Sequence, residues 1–200
     1  MQAYLLSGDT ATVRCFRGLH QNRNYASSQI ALHWLVFVAI IIAYAAMELK
    51  GLAIKGSPIR VTMAIVHYTA GFSVMLLMII RVVLKMTHRD PEIIPPPPRW
   101  QIVASKIIHG LLYLMFLLLP LLGIASLYFG QIGWSFFGIK MPIATYLNTD
   151  AQHTLKEVHE FIANAGYFLV GFHALAALFH HYFVRDNTLV RMLPIIHRHK

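Results

Sequence analysis

Four long apolar runs, separated by short polar segments, constrain this chain more than any other feature of its sequence. They cover about residues 25–49, 59–84, 100–128 and 151–183. The hydrocarbon core of a bilayer is about 30 Å thick, and a helix needs about 20 apolar residues to cross it. Each run is long enough, so the sequence predicts an all-α fold, an integral membrane bundle of four helices.

The composition agrees with lipid as the main solvent, because 57% of the residues are hydrophobic and only 12% are charged. The formal net charge of +9 comes from residues at the ends of the apolar runs rather than from a basic stripe, so nucleic acid is not a predicted partner. The single cysteine, Cys15, excludes an intrachain disulfide and a cysteine-ligated iron–sulfur cluster. A bound metal would need nitrogen ligands.

Lysine and arginine are divided unequally between the two ends of the four spans. Twelve fall on the side of both termini and the second connection, and five fall on the opposite side. Cytoplasmic loops are enriched in these residues, so both termini are predicted to be cytoplasmic. Residues 1–24 then form an N-terminal cytoplasmic extension, residues 25–194 the membrane domain, and residues 195–200 a basic tail. The five on the opposite side are Lys50, Lys55, Arg60, Lys140 and Lys156.

Five histidines lie within the apolar runs. An ionisable side chain is costly there, and it usually marks a cofactor, an ion site or a proton path. For any one of them an interhelical hydrogen bond is the alternative interpretation. The five are His33, His67, His109, His159 and His173.

Depth sorts four of these histidines into two levels. His33, His67 and His159 each lie nine residues past the polar start of their run, and His173 lies ten residues before Phe183. At 1.5 Å per residue, each is about 13–15 Å inside its helix end. Because successive helices alternate in direction, His67 and His159 share the periplasmic level, and His33 and His173 share the cytoplasmic one.

This pattern suits two haem groups. His159 and His173 are fourteen residues apart, which puts them near one face of the fourth helix with a rise of about 21 Å. A porphyrin between two imidazoles needs a partner histidine at each depth, and His67 pairs with His159. At the other level His33 or His109, which reaches a similar depth, could pair with His173. Bis-histidine ligation leaves no open iron position and favours electron transfer.

A series of ordered residues between about 25 and 194 resembles the bacterial cytochrome b561 family. The resemblance is specific because it consists of many anchors in sequence order rather than of one motif. The anchors are residues 30–37 and 46–48, His67 with Gly71, Arg81, Ile94 with Pro95, His109 with Tyr113, Pro120 with Gly123, Trp134, Met141 with Pro142, His159 with Glu160, and residues 166–173, 180–183 and 186–189.

The resemblance implies a bacterial inner-membrane cytochrome with two b-type haems. It implies the axial pairs His33/His173 and His67/His159, which selects His33 over His109. It further implies an oxidoreductase that takes electrons from superoxide on the periplasmic side and reduces ubiquinone. Residues 1–24 have no counterpart in the family pattern.

Quinone reduction needs proton donors near a lipid-accessible site, and histidine can serve. The candidates are His180 and His181 at the end of the fourth span, with Arg81 and His109 at nearby depth. His109 could instead bind a haem propionate. On the periplasmic side, the five cationic residues would attract an anion such as superoxide.

Two other functions remain open at this point. One is a cytochrome b subunit that passes electrons between a hydrogenase or dehydrogenase partner and quinone, although the short loops contain no docking domain. The other is a non-haem metal-ion transporter that uses its membrane histidines. Transporters of that kind have interrupted helices, and this chain has few proline or glycine interruptions.

Overall fold

The computed structural model describes residues 24–88 and 90–194. The chain there forms four long helices, with a two-stranded hairpin before the last of them. The helices are α1 (Ser27–Leu52), α2 (Pro58–Thr87), α3 (Arg99–Phe129) and α4 (Thr149–Phe179), and the strands are β1 (Ser135–Phe136) and β2 (Ile139–Lys140). The predicted roles of residues 1–23, of residues 195–200 and of Arg89 concern parts of the chain outside these described residues.

All four helices are long and apolar enough to cross a membrane, which confirms the predicted integral membrane helical bundle. Their outer surfaces carry large apolar side chains. Phe168 on α4 is 81% exposed and Leu114 on α3 is 61% exposed, as expected for helices that contact lipid rather than water.

The interior of the bundle is small and sits between the helices at mid-height. α1 packs on α2, α2 on α3, and α3 on α4. α1 also contacts α4, because the Tyr44 hydroxyl of α1 donates a hydrogen bond of 2.9 Å to the Ala163 backbone carbonyl of α4. A Cβ at Gly166 would lie 2.5 Å from that hydroxyl, so glycine allows this close approach. The central cluster comprises Val36, Val74, Met78, Met115, Phe116 and Leu119.

We call the end of the bundle with the α1–α2 and α3–α4 connections the loop end. The Arg60 guanidinium there donates to the carbonyls of Lys50 at 2.9 Å and Ala53 at 3.1 Å, which fastens the start of α2 to the end of α1. In the α3–α4 connection, Phe137 and Gly138 have φ of 44° and 89°. Two successive positive φ values match the tight turn that two-residue hairpins prefer.

We call the opposite end the terminal end. Residues 90–94 and 185–194 meet there in a segment pair that we call the terminal latch. Asn187 ties the two parts: its Oδ1 accepts from the Ile94 N–H at 2.9 Å, and its own N–H donates to the Ile94 carbonyl at 3.2 Å. Arg191 is 6% exposed, donates to the Pro91 carbonyl and lies over the Tyr25 ring, 5.5 Å from its centroid.

The fourth span runs from Thr149 to Val184, in agreement with the predicted bounds of about 151–183, but its last turn is not α-helical. α4 ends at Phe179, and His180–Val184 form one wider, π-helical turn. Arg185 then adopts a φ of 58°, which turns the chain into the terminal latch. Such π-turns are rare and often occur at functional sites.

Candidate functional site

Two of the membrane histidines face each other near the loop end. The rings of His67 on α2 and His159 on α4 have centroids 6.1 Å apart and planes at 82°. His67 Nδ1 lies 2.9 Å from the Ala43 carbonyl of α1, and His159 Nδ1 lies 2.8 Å from the Leu119 carbonyl of α3. A carbonyl oxygen can only accept, so both Nδ1 atoms carry a proton and both Nε2 atoms keep a free lone pair. In this tautomer Nε2 is free to bind a metal.

Glycine lets α3 approach this pair. A Cβ at Gly123 would lie 3.3 Å from His159 Cε1 and 3.4 Å from His159 Nδ1. Few Cβ atoms in proteins make contacts this short, so a larger residue would press on the imidazole. Gly123 therefore helps to set the position of the His159 ring relative to the Leu119 carbonyl.

Three histidines meet nearer the terminal end. His33 on α1 and His173 on α4 have ring centroids 6.4 Å apart, and His109 on α3 lies 5.2 Å from His173. His109 Nδ1 is 2.6 Å from the Ser105 carbonyl of its own helix. His33 Nδ1 is buried and has no hydrogen-bond partner in the described part of the chain. Both sequence candidates for the partner of His173 are thus beside it.

The two pairs fit a haem iron in spacing. A bond from a metal to an imidazole nitrogen is about 2 Å long, and the ring centroid lies about 1 Å further on, so two imidazoles on opposite sides of one metal have centroids about 6 Å apart. The 6.1 Å and 6.4 Å spacings match this value, whereas the 5.2 Å spacing of His109 and His173 is shorter.

The donor set also suits haem better than a bare metal ion. Over residues 24–88 and 90–194, no group of three or more His, Cys, Asp or Glu side chains is arranged to hold an ion. A haem iron needs only two protein ligands because the porphyrin supplies the others. The hypothesis of a non-haem metal-ion transporter therefore has no support in the described residues.

The four candidate quinone residues lie at the terminal half of the bundle but do not form one contact group. His180 Nδ1 is 2.6 Å from Asp186 Oδ2, and the His181 ring contacts Tyr182 at 4.9 Å. Arg81 lies over the Tyr113 ring, 5.6 Å from its centroid. Among the residues that the structure describes, no hydrogen bond or ring contact joins His180 or His181 to Arg81 or His109.

A pocket of about 350 Å³ opens at the loop end, and Lys50 and Arg60 contribute its positive charge. Tyr68 and Trp134 form part of its wall, with ring centroids 6.0 Å apart. The Tyr68 ring also lies 6.1 Å from the His67 ring. The pocket therefore has a cationic rim and a wall residue, Tyr68, that contacts one ring of the His67/His159 pair.

Sequence reasoning missed three partners of these histidines: the carbonyls of Ala43 and Leu119, and the carboxylate of Asp186. No sequence signal could have selected the carbonyls, because every residue has one. Asp186 did carry a signal, since it is an acidic residue directly beyond a span that ends with two histidines.

Four membrane-spanning helices that present opposed imidazole pairs define a membrane-bound b-type cytochrome. The family model for prokaryotic cytochrome b561 matches residues 24–194, and the chain belongs to that family. It is 46% identical over 170 residues to "Cytochrome b561 homolog 1" of Escherichia coli K12, an alignment that covers 85% of this chain and 97% of the relative. Its function is therefore membrane electron transfer with b-type haem.

Two further relatives cover similar lengths. "Probable superoxide oxidase CybB" of Yersinia pestis is 39% identical over 173 residues, which is 86% of this chain and 97% of the relative. "Cytochrome b562" of Cereibacter sphaeroides is 29% identical over 177 residues, with the same coverage of 86% and 97%. The similarity thus extends over almost the full length of each relative.

Proposed function

We propose that this cytochrome oxidises superoxide and reduces ubiquinone in the bacterial inner membrane, with two b-type haems. One haem is held by His67 and His159, and the other by His33 and His173. The loop end faces the periplasm and the terminal end faces the cytoplasm, as the lysine and arginine distribution predicts.

The observation that carries the ligand assignment is the pair of ring spacings, 6.1 Å and 6.4 Å, at two depths of one bundle. The free Nε2 atoms of His67 and His159 support it further, because their Nδ1 protons are already donated to carbonyls. When bound, the haem groups supply reversible one-electron transfer, while the protein tunes their potentials through ligands and burial.

Superoxide is the proposed donor on two grounds. A relative at 39% identity is named a probable superoxide oxidase. The loop-end pocket also presents Lys50 and Arg60 to a small anion, and its wall includes Tyr68, whose ring contacts the His67 ring. Positive charge at a cleft raises the local concentration of an anion and its rate of association.

Ubiquinone is the proposed acceptor at the terminal half. Two superoxide anions each lose one electron and become two molecules of oxygen, and the quinone takes these two electrons with two protons to become quinol. His180, His181, Arg81 and His109 are the residues available there to bind the quinone or to move its protons. No described feature favours the alternative of a subunit that serves a hydrogenase or dehydrogenase.

Haem content tests the ligand assignment. We expect the purified protein to contain two haems per chain with a low-spin bis-histidine spectrum, and His159→Ala and His173→Ala each to lose one of them. His153→Ala is the matched control, because His153 is on the same helix and its side chain is 72% exposed. Retention of both haems in the His159 and His173 variants would refute the assignment.

Turnover tests the substrates separately. Superoxide generated enzymatically should reduce the haems, and added ubiquinone should reoxidise them with formation of quinol. A fully haem-loaded protein that superoxide leaves oxidised would contradict the proposed donor while leaving the haem ligands unaffected.

A further inference from the structure

We propose that His180 is the proton donor to ubiquinone and that Asp186 is the positioning residue that orients the His180 ring. This inference rests on the proposed quinone reduction. It distinguishes His180 from His181, Arg81 and His109, which the sequence analysis gave together as quinone candidates. The juxtaposition that carries it is a histidine at the start of the π-helical turn and a buried carboxylate just past the end of that turn, beyond the terminal-end histidines.

His180 directly follows the last residue of α4 and continues the face of that helix that carries His173. It lies seven residues after His173, and seven steps of 100° return to within about 20° of the same direction. The rise over seven residues is about 10 Å. A substrate beside His180 would therefore lie about 10 Å along the bundle axis from the His33/His173 level, toward the terminal end.

Several hydrogen bonds hold the His180 ring and the Asp186 carboxylate in place. His180 Nδ1 lies 2.6 Å from Asp186 Oδ2, and Asp186 Oδ1 accepts the Thr188 N–H at 2.8 Å. The Asp186 N–H donates to the His180 carbonyl at 3.3 Å, so backbone and side chain both close the turn. Asp186 is 5% exposed, whereas the His180 side chain keeps 20% of its surface accessible. Nε2 is the ring nitrogen left for a substrate.

The carboxylate remains charged in this setting. Burial raises the pKa of Asp186, but the hydrogen bonds from His180 and Thr188 outweigh burial, and the net pKa lies below the usual value of 3.8. The carboxylate 2.6 Å from Nδ1 accepts a hydrogen bond from that nitrogen, which fixes the ring and leaves Nε2 to exchange a proton with a substrate.

The proton step balances with the electrons of the proposed reaction. As the quinone gains electrons from superoxide, negative charge develops on its carbonyl oxygen. The Nε2–H bond of His180 breaks, an O–H bond forms on the quinone, and His180 is left neutral beside the Asp186 carboxylate. Water at the terminal end returns a proton to Nε2, and a second passage supplies the second proton of the quinol.

The neighbours of His180 suit a lipid-soluble substrate. Phe179 and Phe183 stack with ring centroids 5.2 Å apart, and they are 52% and 77% exposed. They present an aromatic surface to lipid on the same turn as His180. His181 lies next in the chain, but its ring contact is with Tyr182, and among the described residues no carboxylate lies within ion-pair distance of it.

The experiment compares His180→Ala and Asp186→Asn with His88→Ala, the control for loss of an exposed histidine at the same end. Each variant is loaded with haem, reduced by superoxide and mixed with a water-soluble ubiquinone analogue. We expect the haem content and the reduction by superoxide to match the unmodified protein in all three. Reoxidation by quinone should fall by about 100-fold or more in His180→Ala, and by a smaller factor in Asp186→Asn, with KM for quinone nearly unchanged.

Chemical rescue separates proton donation from a structural role. Added imidazole should restore much of the reoxidation rate of His180→Ala, because a small acid can occupy the space and supply the proton. A rate in His180→Ala equal to that of the unmodified protein overturns this inference, and so does a loss that imidazole does not restore. Absence of quinone reduction in the unmodified protein is a different result, because it overturns the proposed function itself.

Discussion

Backbone carbonyls decide which nitrogen of two membrane histidines is protonated. The Ala43 and Leu119 oxygens hold the Nδ1 protons of His67 and His159, so the tautomer of both rings is set by helix packing. The depth of these histidines could be predicted, because hydropathy locates the helix ends and the rise per residue is constant. Their acceptors could not, because helix rotation and approach depend on packing across the whole bundle.

Gly123→Val should disturb the His159 ring. The added side chain would start 3.3 Å from His159 Cε1 and would displace the ring from the Leu119 carbonyl. Loss of such a supporting hydrogen bond typically lowers metal affinity by about 10- to 100-fold. We expect weaker haem binding at the loop-end pair, measured by haem titration of the apoprotein.

Gly110→Ala is the control for this change, because it lies on the same helix and a Cβ there meets nothing within 4 Å. It should titrate like the unmodified protein. Equal haem affinity in Gly123→Val and Gly110→Ala would show that the approach of α3 does not position His159.

At the scale of elements, the terminal latch and the π-turn are the features that could not be predicted from the sequence. Hydropathy continues through Phe183, so the sequence could predict where the fourth span ends. It could not predict that the last turn is π-helical, where His180 bonds to Asp186 and Arg185 takes a positive φ. A hydrogen bond between two side chains that changes the last turn of a helix cannot be recognised from the hydropathy of an apolar run. The helices themselves were predictable because a bilayer imposes their length and composition.

Asn187→Ala should loosen the terminal latch. Its side chain accepts from the Ile94 N–H at 2.9 Å and donates to the Glu92 carbonyl at 3.2 Å. Loss of these bonds should cost about 1 kcal/mol. We expect proteolysis within residues 90–98 to be about 5-fold faster, followed by mass spectrometry.

Val190→Ala serves as the comparison in the same segment, because Val190 is 45% exposed and its side chain is apolar. Equal cleavage rates in the two variants would mean that residues 185–194 do not hold the α2–α3 connection through Asn187.

At the scale of the whole molecule, charge distinguishes the two ends of an otherwise apolar bundle. Lys50 and Arg60 line the loop-end pocket, whereas Arg191 is buried at the terminal end. The sequence could predict that cationic residues lie at both ends, twelve on the terminal side and five on the other, because lysine and arginine cluster outside the apolar runs. It could not predict that Lys50 and Arg60 share a pocket with Tyr68 and Trp134, because these residues come from separate segments.

Lys50→Gln should slow the reduction of the haems by superoxide. Removing one positive charge from the pocket weakens the attraction of an anion, and we expect a rate about 2- to 10-fold lower at low ionic strength. The difference should shrink as salt is added, because exposed charges are screened. Stopped-flow or pulse-radiolysis measurement of haem reduction gives both quantities.

Lys106→Gln removes the same charge at the terminal end and controls for net charge. A rate loss as large in Lys106→Gln as in Lys50→Gln would argue against a role for the pocket, because then only total charge would matter.

The angles between the opposed imidazoles have a magnetic consequence. The planes of His67 and His159 are 82° apart, and those of His33 and His173 are 66° apart. If His67 and His159 held one haem and His33 and His173 the other, imidazole planes so far from parallel would leave only a small splitting between the two iron d orbitals that interact with them. The oxidised protein should therefore give strongly anisotropic low-spin EPR signals, most of all at the loop-end pair.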